Sequence, residues 1–348
     1  MTYLSLIGKN LFYYWKRNLA LALGVAISTA VITGALMVGD SVKHNLNKGV
    51  DLRLGAVTHT VQAGDRFFTG SLATGIGKDL KIPAAPVLLL EGIAITDGGQ
   101  KRINRVQVVG VNENIDKALH VNTGFGHLSD DEVVVSRNIA SRLNLNTGDE
   151  ILIRIKKASL IPLNTPFVSD QNNTVPVRLK VKAVAGNDKM GRFNLRISQT
   201  APFNVFVSID MLNRLMGLND RANVLLLTGN KSLSKENVEA AIQRNWTLAD
   251  INLSIKSLTS HKQIQINSER VFIEPAATQA IEKIPSKQRH ILTYFVNSFI
   301  SKTDTTPYSF ISTLPDNQLT KDEIVINRWL AEDLKAKPGD NIDIRYFV

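Results

Sequence analysis

The chain has 348 residues, 44% hydrophobic and 21% charged, which is enough for about two domains with sizeable cores and excludes a disordered tail. It has no cysteine, which excludes thiolate zinc sites, iron–sulfur clusters, redox dithiols and disulfides and agrees with an extracytoplasmic bacterial protein. The net charge of +10 admits nucleic acid or anionic lipid as partners.

The first 18 residues carry Lys9, Lys16 and Arg17 and no acid. Tyr3, Leu4, Ile7, Leu11 and Phe12 recur at helical spacing, which predicts a short amphipathic helix on a membrane face; a frayed terminus is the alternative. Residues 19–39 then read LALALGVAISTAVITGALMVG, 21 positions without a charge. At 1.5 Å per residue such a helix is about 31 Å long, close to the hydrocarbon thickness of a bilayer. A core helix of a soluble protein would show a charged face. A cleaved signal would be shorter, with a better cleavage site than Thr33-Gly34-Ala35. The run reads as an uncleaved anchor. Its basic flank places the N-terminus in the cytoplasm and everything after Asp40 outside a bacterial inner membrane. Tyr13, Tyr14 and Trp15 fall at the inner headgroup layer.

Ala20, Gly24 and Ser28 are spaced by four, as are Ala22, Ala26, Ala30 and Gly34. Small residues at this spacing let helix backbones approach closely, so packing against other membrane helices is expected. No second run is long enough to span; 291–300 has about half the required length.

Residues 40–54 keep helical spacing and should leave the membrane as a helix. Strand-like runs follow at 56–62, 87–96, 103–111, 132–136, 150–156, 178–184, 204–208 and 223–227. Asp97-Gly98-Gly99 marks a hairpin turn. Helices are predicted at 65–76, 137–143, 209–215, 235–246 and 276–284, the last with Pro275 in its first turn. This irregular alternation predicts an α+β fold.

Segments 131–154 and 322–345 repeat each other: DEVVVSRNIASRLNLNTGDEILIR and DEIVINRWLAEDLKAKPGDNIDIR are identical at 11 of 24 positions without a gap. Each reads as strand, short helix, tight turn, strand. The helices bury Ile139 and Leu143, or Leu330 and Leu334. The turns are built on Gly148 and Gly339, each accepting φ > 0, with Asp149 and Asp340 placed to bond nearby amides. A catalytic acid pair is the competing reading of these aspartates. The expected organisation is a cytoplasmic segment 1–18, a membrane helix 19–39, a first outer unit 40–230 and a second, incomplete unit 231–348. The second copy stops soon after the matched segment, so the chain reads as the N-terminal portion of something longer.

Chemical motifs are weak. His44, His59, His120, His127, His261 and His290 lack the spacing of a helical zinc site. Gly70, Gly75, Gly77 and Lys78 fail the phosphate-loop spacing. Ser232 and Lys235 match a short penicillin-binding motif, but Ser234 is better read as a helix N-cap. No cofactor and no metal is expected, and no basic–aromatic groove suggests nucleic acid.

Taken in order, several short motifs resemble ABC transporter permeases of the FtsX-like, MacB-like family. They are Ala35-Leu36-Met37-Val38-Gly39-Asp40-Ser41-Val42, Arg66-Phe67-Phe68, Val108-Val109-Gly110-Val111, and Glu132-Val133-Val134-Val135 leading to Gly148-Asp149. Gly191-Arg192-Phe193, Arg221-Ala222-Asn223, Leu292 to Asn297, Thr306 to Ser309, and Ile326 to Ala331 with Gly339-Asp340 complete the series. The resemblance covers nearly the whole chain. It implies a first membrane helix, a MacB-like periplasmic core domain and further membrane helices. It also implies a separate cytoplasmic ABC ATPase as partner, with a dimer or second permease subunit. The implied activity is mechanotransmission, coupling ATP hydrolysis to export, lipoprotein release or hydrolase control, with no enzyme activity of its own. A single-pass anchored periplasmic sensor or binding module is the alternative, and a secreted enzyme a weaker one.

The basic flank yields a direct test. A phosphatase fused after residue 60 should be active, and the full-length chain should stay in the membrane fraction. A soluble product about 35 residues shorter would identify a cleaved signal instead.

Overall fold

The computed structural model describes residues 3–346 apart from 65, 158–173, 199, 231, 260–261, 269–272, 303 and 315–318. Asp65, the expected start of a helix, and His261 lie outside the described residues. Among the described residues two compact units result, one within 3–268 and the other within 273–346. The described residues between 232 and 268 therefore group with the first unit, whereas the expected boundary at 230 put them in the second. The physical cause is Val238 and Ala241, which are buried in the main core of the first unit.

The N-terminus is helical. Helix α1 (Tyr3–Tyr13) and the 40-residue α2 (Trp15–Leu54) are separated only at Tyr14. Hydrogen bonds from the Tyr14 amide to Asn10 and from the Asn18 amide to Tyr14 bridge the break at 3.1 and 3.0 Å. Residues 40–54 continue the membrane helix without interruption, as expected. Its apolar surface is uncovered: Leu21 is 71% exposed and Leu36 66%. So long an apolar surface is not stable in water, and the helix is long and apolar enough to cross a bilayer.

The first unit continues through β1 (His59–Gln62), β2 (Phe68–Thr69), α3 (Gly70–Leu80), β3 (Ala84–Thr96), β4 (Lys101–Val111) and α4 (Asn114–Leu119). Next come β5 (Glu132–Ser136), α5 (Arg137–Leu143), β6 (Glu150–Lys156), β7 (Thr174–Ala185), β8 (Asn204–Ser208) and α6 (Ile209–Met216). It ends with β9 (Arg221–Ala222), β10 (Val224–Leu227), α7 (Lys235–Asn245) and the hairpin β11 (Leu253–Leu258) with β12 (Gln263–Ser268).

Eight strands pair in the order β1-β10-β3-β4-β8-β5-β7-β6, and β6 pairs back onto β3. The six strands from β3 to β6 thus close a circuit. Closure leaves those six without a free hydrogen-bonding edge along the paired stretch. Alternate residues from every strand of the circuit meet in one core, among them Ala94, Val106, Val133, Ile153, Val181 and Val205. Ile139 and Leu143 of α5 join it, as the repeat predicts. On the opposite face, Val87, Val109 and Val134 pack with α4 and with Phe206, whose ring stacks on Phe125 at 4.2 Å.

Helix α3 starts later than the expected position 65. Phe68 and Thr69 are taken first by β2, which pairs with β9. The Thr69 amide and hydroxyl donate to Asp250 Oδ1 at 2.8 and 2.6 Å. Burial opposes ionisation of Asp250, but these bonds and those from Thr247 outweigh it and hold the carboxyl below its usual range. The glycines of the phosphate-loop-like stretch lie in α3 and serve packing. A Cβ on Gly77 would lie 2.9 Å from that of Ala84, and one on Gly70 would meet the Asp220 carboxylate.

The second unit contains α8 (Pro275–Glu282), β13 (Thr293–Ser301), β14 (Asp304–Ser312), α9 (Arg328–Asp333) and β15 (Asp343–Arg345). Pro275 occupies the first turn of α8 as predicted. The run 291–300 is largely strand β13, central in the order β14-β13-β15.

Here the repeat reaches beyond the matched sequence. Ile153 of β6 pairs with Ala94 of β3, and Ile344 of β15 pairs with Phe299 of β13. Ala94 in turn pairs with Ile103 of β4, and Phe299 with Thr306 of β14. Strands β14, β13 and β15 therefore reproduce β4, β3 and β6, which is half of the six-strand circuit. The cores also correspond: Ile324, Ile326, Leu330, Leu334, Ile342 and Ile344 stand where the first copy has Val133, Val135, Ile139, Leu143, Ile151 and Ile153.

One expected element of the second copy is not formed. Residues 323–327 match β5 but are not a strand. In the first unit β5 is held between β7 and β8. Among the described residues no strand flanks 323–327, and a strand without ladder partners has no hydrogen bonds to define it.

The turns agree in detail. Gly148 has φ +100° and Gly339 φ +94°, and nothing lies within 4 Å of a Cβ added to either. Replacing either by Val should cost about 1–2 kcal/mol through backbone strain alone. Denaturant unfolding of each variant measures this; unchanged midpoints would contradict the conformational role of the glycines.

Candidate functional site

Residues expected to act fall on two elements, the membrane helix and the repeat turns. On α2, Ala20, Gly24 and Ser28 lie on one face with Leu21, Val25, Thr29 and Ile32. The small side chains leave a shallow groove of about 350 Å³ between the larger ones. No atom lies within 4 Å of a Cβ added to Gly24, so among the described residues the groove is unfilled at that point. This shape permits close approach of another helix backbone.

At the turns, Asp149 Oδ2 accepts from the Asn146 amide at 2.7 Å, and Asp340 Oδ2 accepts from the Lys337 amide at 2.8 Å. The Lys337 amide, and after it the Lys302 ammonium 3.1 Å away, hold the Asp340 carboxyl below its usual range. Any stability this linkage contributes is present above the unfolded carboxyl's pKa and is lost as pH falls through the folded value. Each aspartate closes its own turn, which is a structural role.

Other candidates resolve similarly. Ser234 caps α7, accepting from the Asn237 amide, while Ser232 donates to Asn230. An open cleft of about 430 Å³ is lined by Gly75, Lys78, Asp79, Arg244 and Asn245. Asp79 there accepts from Arg244 at 2.9 Å and from Asn245 at 3.1 Å, so its charge is already partnered. Among the described residues no group of three or more His, Cys, Asp or Glu could hold a metal ion.

The most constrained place on the long apolar helix is its C-terminal end, which sequence reasoning did not single out. Gly55 ends α2 with φ 57° and ψ −131°, and its amide bonds Asp51 at 2.8 Å. A Cβ on Gly55 would lie 2.8 Å from the Leu119 carbonyl. The next amide, Ala56, donates to that same carbonyl at 3.2 Å, and Thr58 donates to Leu227 at 3.0 Å. Leu54 and Val57 enter the apolar core beneath α4. Two residues before Gly55, Arg53 Nη1 donates to the Arg196 carbonyl at 2.7 Å, and the Asn194 amide donates to the Arg53 carbonyl at 3.4 Å. The last turn of α2 is thus fastened on two sides to the β-rich domain.

The 190–196 loop is itself braced. A Cβ on Gly191 would lie 2.4 Å from the Ala185 carbonyl. Asn204 Nδ2 donates to Gly191 and Phe193 carbonyls at 3.1 and 2.8 Å. The Gly191-Arg192-Phe193 motif therefore supports the helix junction. Asn223 of the Arg221-Ala222-Asn223 motif grips the Leu89 backbone, accepting its amide at 2.7 Å and donating to its carbonyl at 2.8 Å. A glycine directly after a long helix was the available signal for the junction. Its contacts with Leu119, Arg196 and Leu227 are too distant in sequence to be inferred.

A change of Gly55 to Val combines a Gly-favouring backbone conformation with a clash against a fixed carbonyl. It should destabilise the outer domain by about 2–3 kcal/mol and loosen the helix junction. Thermal unfolding, with protease cleavage between 50 and 60 as the local readout, checks both. Wild-type stability with unchanged cleavage would show that the junction tolerates a side chain.

The family model described as MacB-like periplasmic core domain matches residues 19–245. Among solved structures, the chain is similar to the extracellular domain of the noncanonic ABC-type transporter YknZ from Gram-positive bacteria. Identity is 12%, with 53% of this chain and 88% of that chain covered and a TM-score of 0.33. It is also similar to the periplasmic region of MacB from Actinobacillus actinomycetemcomitans, at 14% identity, 66% and 96% coverage and a TM-score of 0.33. No curated protein matches the sequence.

Proposed function

We propose, from the premise that this chain belongs to the MacB-like periplasmic core domain family and is an ABC transporter permease component, that it transmits mechanical work across a membrane. A separate cytoplasmic ABC ATPase drives the membrane helices, and α2 carries that motion to the outer domain. The N-terminus lies in the cytoplasm of a bacterial cell, α1 lies along the inner leaflet of the inner membrane, and the β-rich bulk is extracytoplasmic. The output is export, lipoprotein release or control of a hydrolase. The partner across the groove of Ala20, Gly24 and Ser28 is a membrane helix, from a second copy or a second permease subunit.

One observation carries this reading. The apolar helix does not end in a flexible tether but runs unbroken from Trp15 to Leu54 and is clamped at Arg53 and Gly55. A helix transmits displacement along its axis because every turn is hydrogen-bonded to the next. A simple anchor needs no such continuity.

Changing Gly24 and Ser28 to Leu fills the groove and should prevent close helix approach. In the complete transporter, with its ATPase co-purified, hydrolysis should persist while its output falls at least tenfold, and the outer domain should remain folded. Absence of any co-purifying ATPase, or full coupling in the double variant, would favour the anchored sensor.

A further inference from the structure

The outward face of the six-strand circuit is covered at one end of β3 and open at the other. Val87 and Leu89 point outward into the core that α4 closes, but Glu91, Ile93 and Ile95 continue the same face beyond that cover. Two cross-strand rows make up the open part. In one, Ile95 stands between Arg102 of β4 and Leu152 of β6, and Leu152 pairs in turn with Arg178 of β7. In the next, Ile93 pairs with Arg154, which pairs with Pro176. The register of β4 shifts here, so Asn104 and Arg105 share the place opposite Ile93, and both are exposed. Ile93, Ile95 and Leu152 are half-buried, whereas all four arginines are exposed. With neighbouring strands about 4.8 Å apart, Arg102 and Arg178 flank the aliphatic centre at a separation of about 14 Å, and Arg105 and Arg154 at about 10 Å.

The face is strongly biased in charge. Strands β3, β4, β6 and β7 together carry eight Lys or Arg but two acids, Glu91 and Glu150. Lys182 is taken by Glu132 at 2.7 Å, and Arg105 reaches Glu91 at 4.0 Å. Arg102, Arg154 and Arg178 have no carboxylate partner among the described residues. The fold does not need these outward groups for its core, which the inward Ile151, Ile153, Leu179 and Val181 of the same strands fill. Aliphatic side chains left open on a sheet and bordered by guanidinium groups are the composition of an interface centre.

We infer that this face is the docking site for an acidic amphipathic helix of a separate protein. A helix about 10 Å across, laid along the strands, sets an apolar stripe on Ile93, Ile95 and Leu152. Glu or Asp on its two flanks then meet Arg102 and Arg105 on one side and Arg154 and Arg178 on the other, with the planar fork that suits a carboxylate. Charge argues against a second copy, since a chain of net charge +10 would be brought against a basic face. Distance argues against a bilayer around the uncharged run of α2. Residues 40–54 carry α2 about 22 Å beyond that run. Ala84 of β3 pairs with Leu227, whose carbonyl accepts from Thr58 at the helix junction. Ile93 and Ile95 follow nine and eleven residues later, about 30–36 Å along the strand.

The chain has no cysteine, so Asn104→Cys provides a single labelling point for a fluorophore on the exposed bulge. The probe is a synthetic helical peptide with a leucine stripe flanked by glutamates and a terminal quencher. It is added to the full-length labelled chain in nanodiscs of zwitterionic lipid, with empty nanodiscs as the blank. Saturable quenching is expected, weakening as salt rises. A label at Lys235→Cys on α7, outside the face, should not be quenched. The same peptide with lysine for glutamate should not quench either label. Arg102→Glu and Arg178→Glu should each weaken binding about fivefold, the range of an exposed ion pair. Their folding is checked by unchanged amide exchange within β8, and the lysine peptide tests the charge requirement on a chain with all its arginines. No quenching, or equal quenching by both peptides, would overturn the proposal. So would quenching by phosphatidylglycerol vesicles carrying quencher lipid but not by the peptide, which would make a membrane the occupant. Concentration-dependent burial of the label without peptide would make it a second copy and overturn the proposal too.

Discussion

The structure depends on how the chain leaves α2. At Gly55 the backbone takes a conformation that an L side chain rarely adopts, in a space closed by the Leu119 carbonyl. The turn makes it possible for Leu54 to face one way into the core and Val57 to follow it within three residues. A longer loop would fasten the helix to the domain less directly, because each added residue is another freely rotating pair of dihedrals. Arg53 adds a second point of attachment, and its position in the last turn also suits the negative end of the helix dipole. The helix and the β-rich domain are therefore joined at this end without an intervening linker.

The outer domain in turn draws its rigidity from closure. Strand β3 pairs with β10 along its first half and with both β4 and β6 along its second. Gly92 permits that crowding, since a Cβ there would lie 2.9 Å from the Arg154 carbonyl. With β6 returned to β3, the inward residues of six strands share one core. Among the described residues, the second unit repeats three of these strands and one helix and pairs them as an open three-stranded sheet. Its core is correspondingly small, built from Val296, Phe299, Leu330 and Leu334 with flanking isoleucines. The contrast shows what β7 and β8 supply in the first unit: they satisfy the backbone of β5 and cover Val134.

Much of this was legible in order along the chain. The uncharged run and its basic flank announced a membrane helix, and the continuation through 54 followed from helical spacing. Strands β5 and β8 and helix α5 fall on their expected residues because alternation or turn residues bound them closely. The turn glycines, their aspartates and the Ser234 cap were also readable, since each involves partners within three residues. The start of α3 was not, because β2 exists only through β9, about 150 residues away. The hairpins β11–β12 and β13–β14 escaped notice for a related reason. Their strands mix polar residues with aliphatic ones in β11–β12 and with aromatic ones in β13–β14, so no clean alternation marks them in the sequence.

The sequence by itself determined what depends on neighbours: where helices and turns begin, which residues point inward, and that one segment occurs twice. Tertiary structure alone decided whether a repeated segment becomes a strand. Residues 132–136 and 323–327 read EVVVS and EIVIN, yet among the described residues only the first is a strand, held between β7 and β8. A strand's hydrogen bonds lie between chains of distant residues, so its existence is a property of the assembly of the sheet. The helix junction follows the same rule. The glycine is visible in the sequence, but the carbonyl that forbids a side chain there comes from Leu119, brought into place only when the core closes.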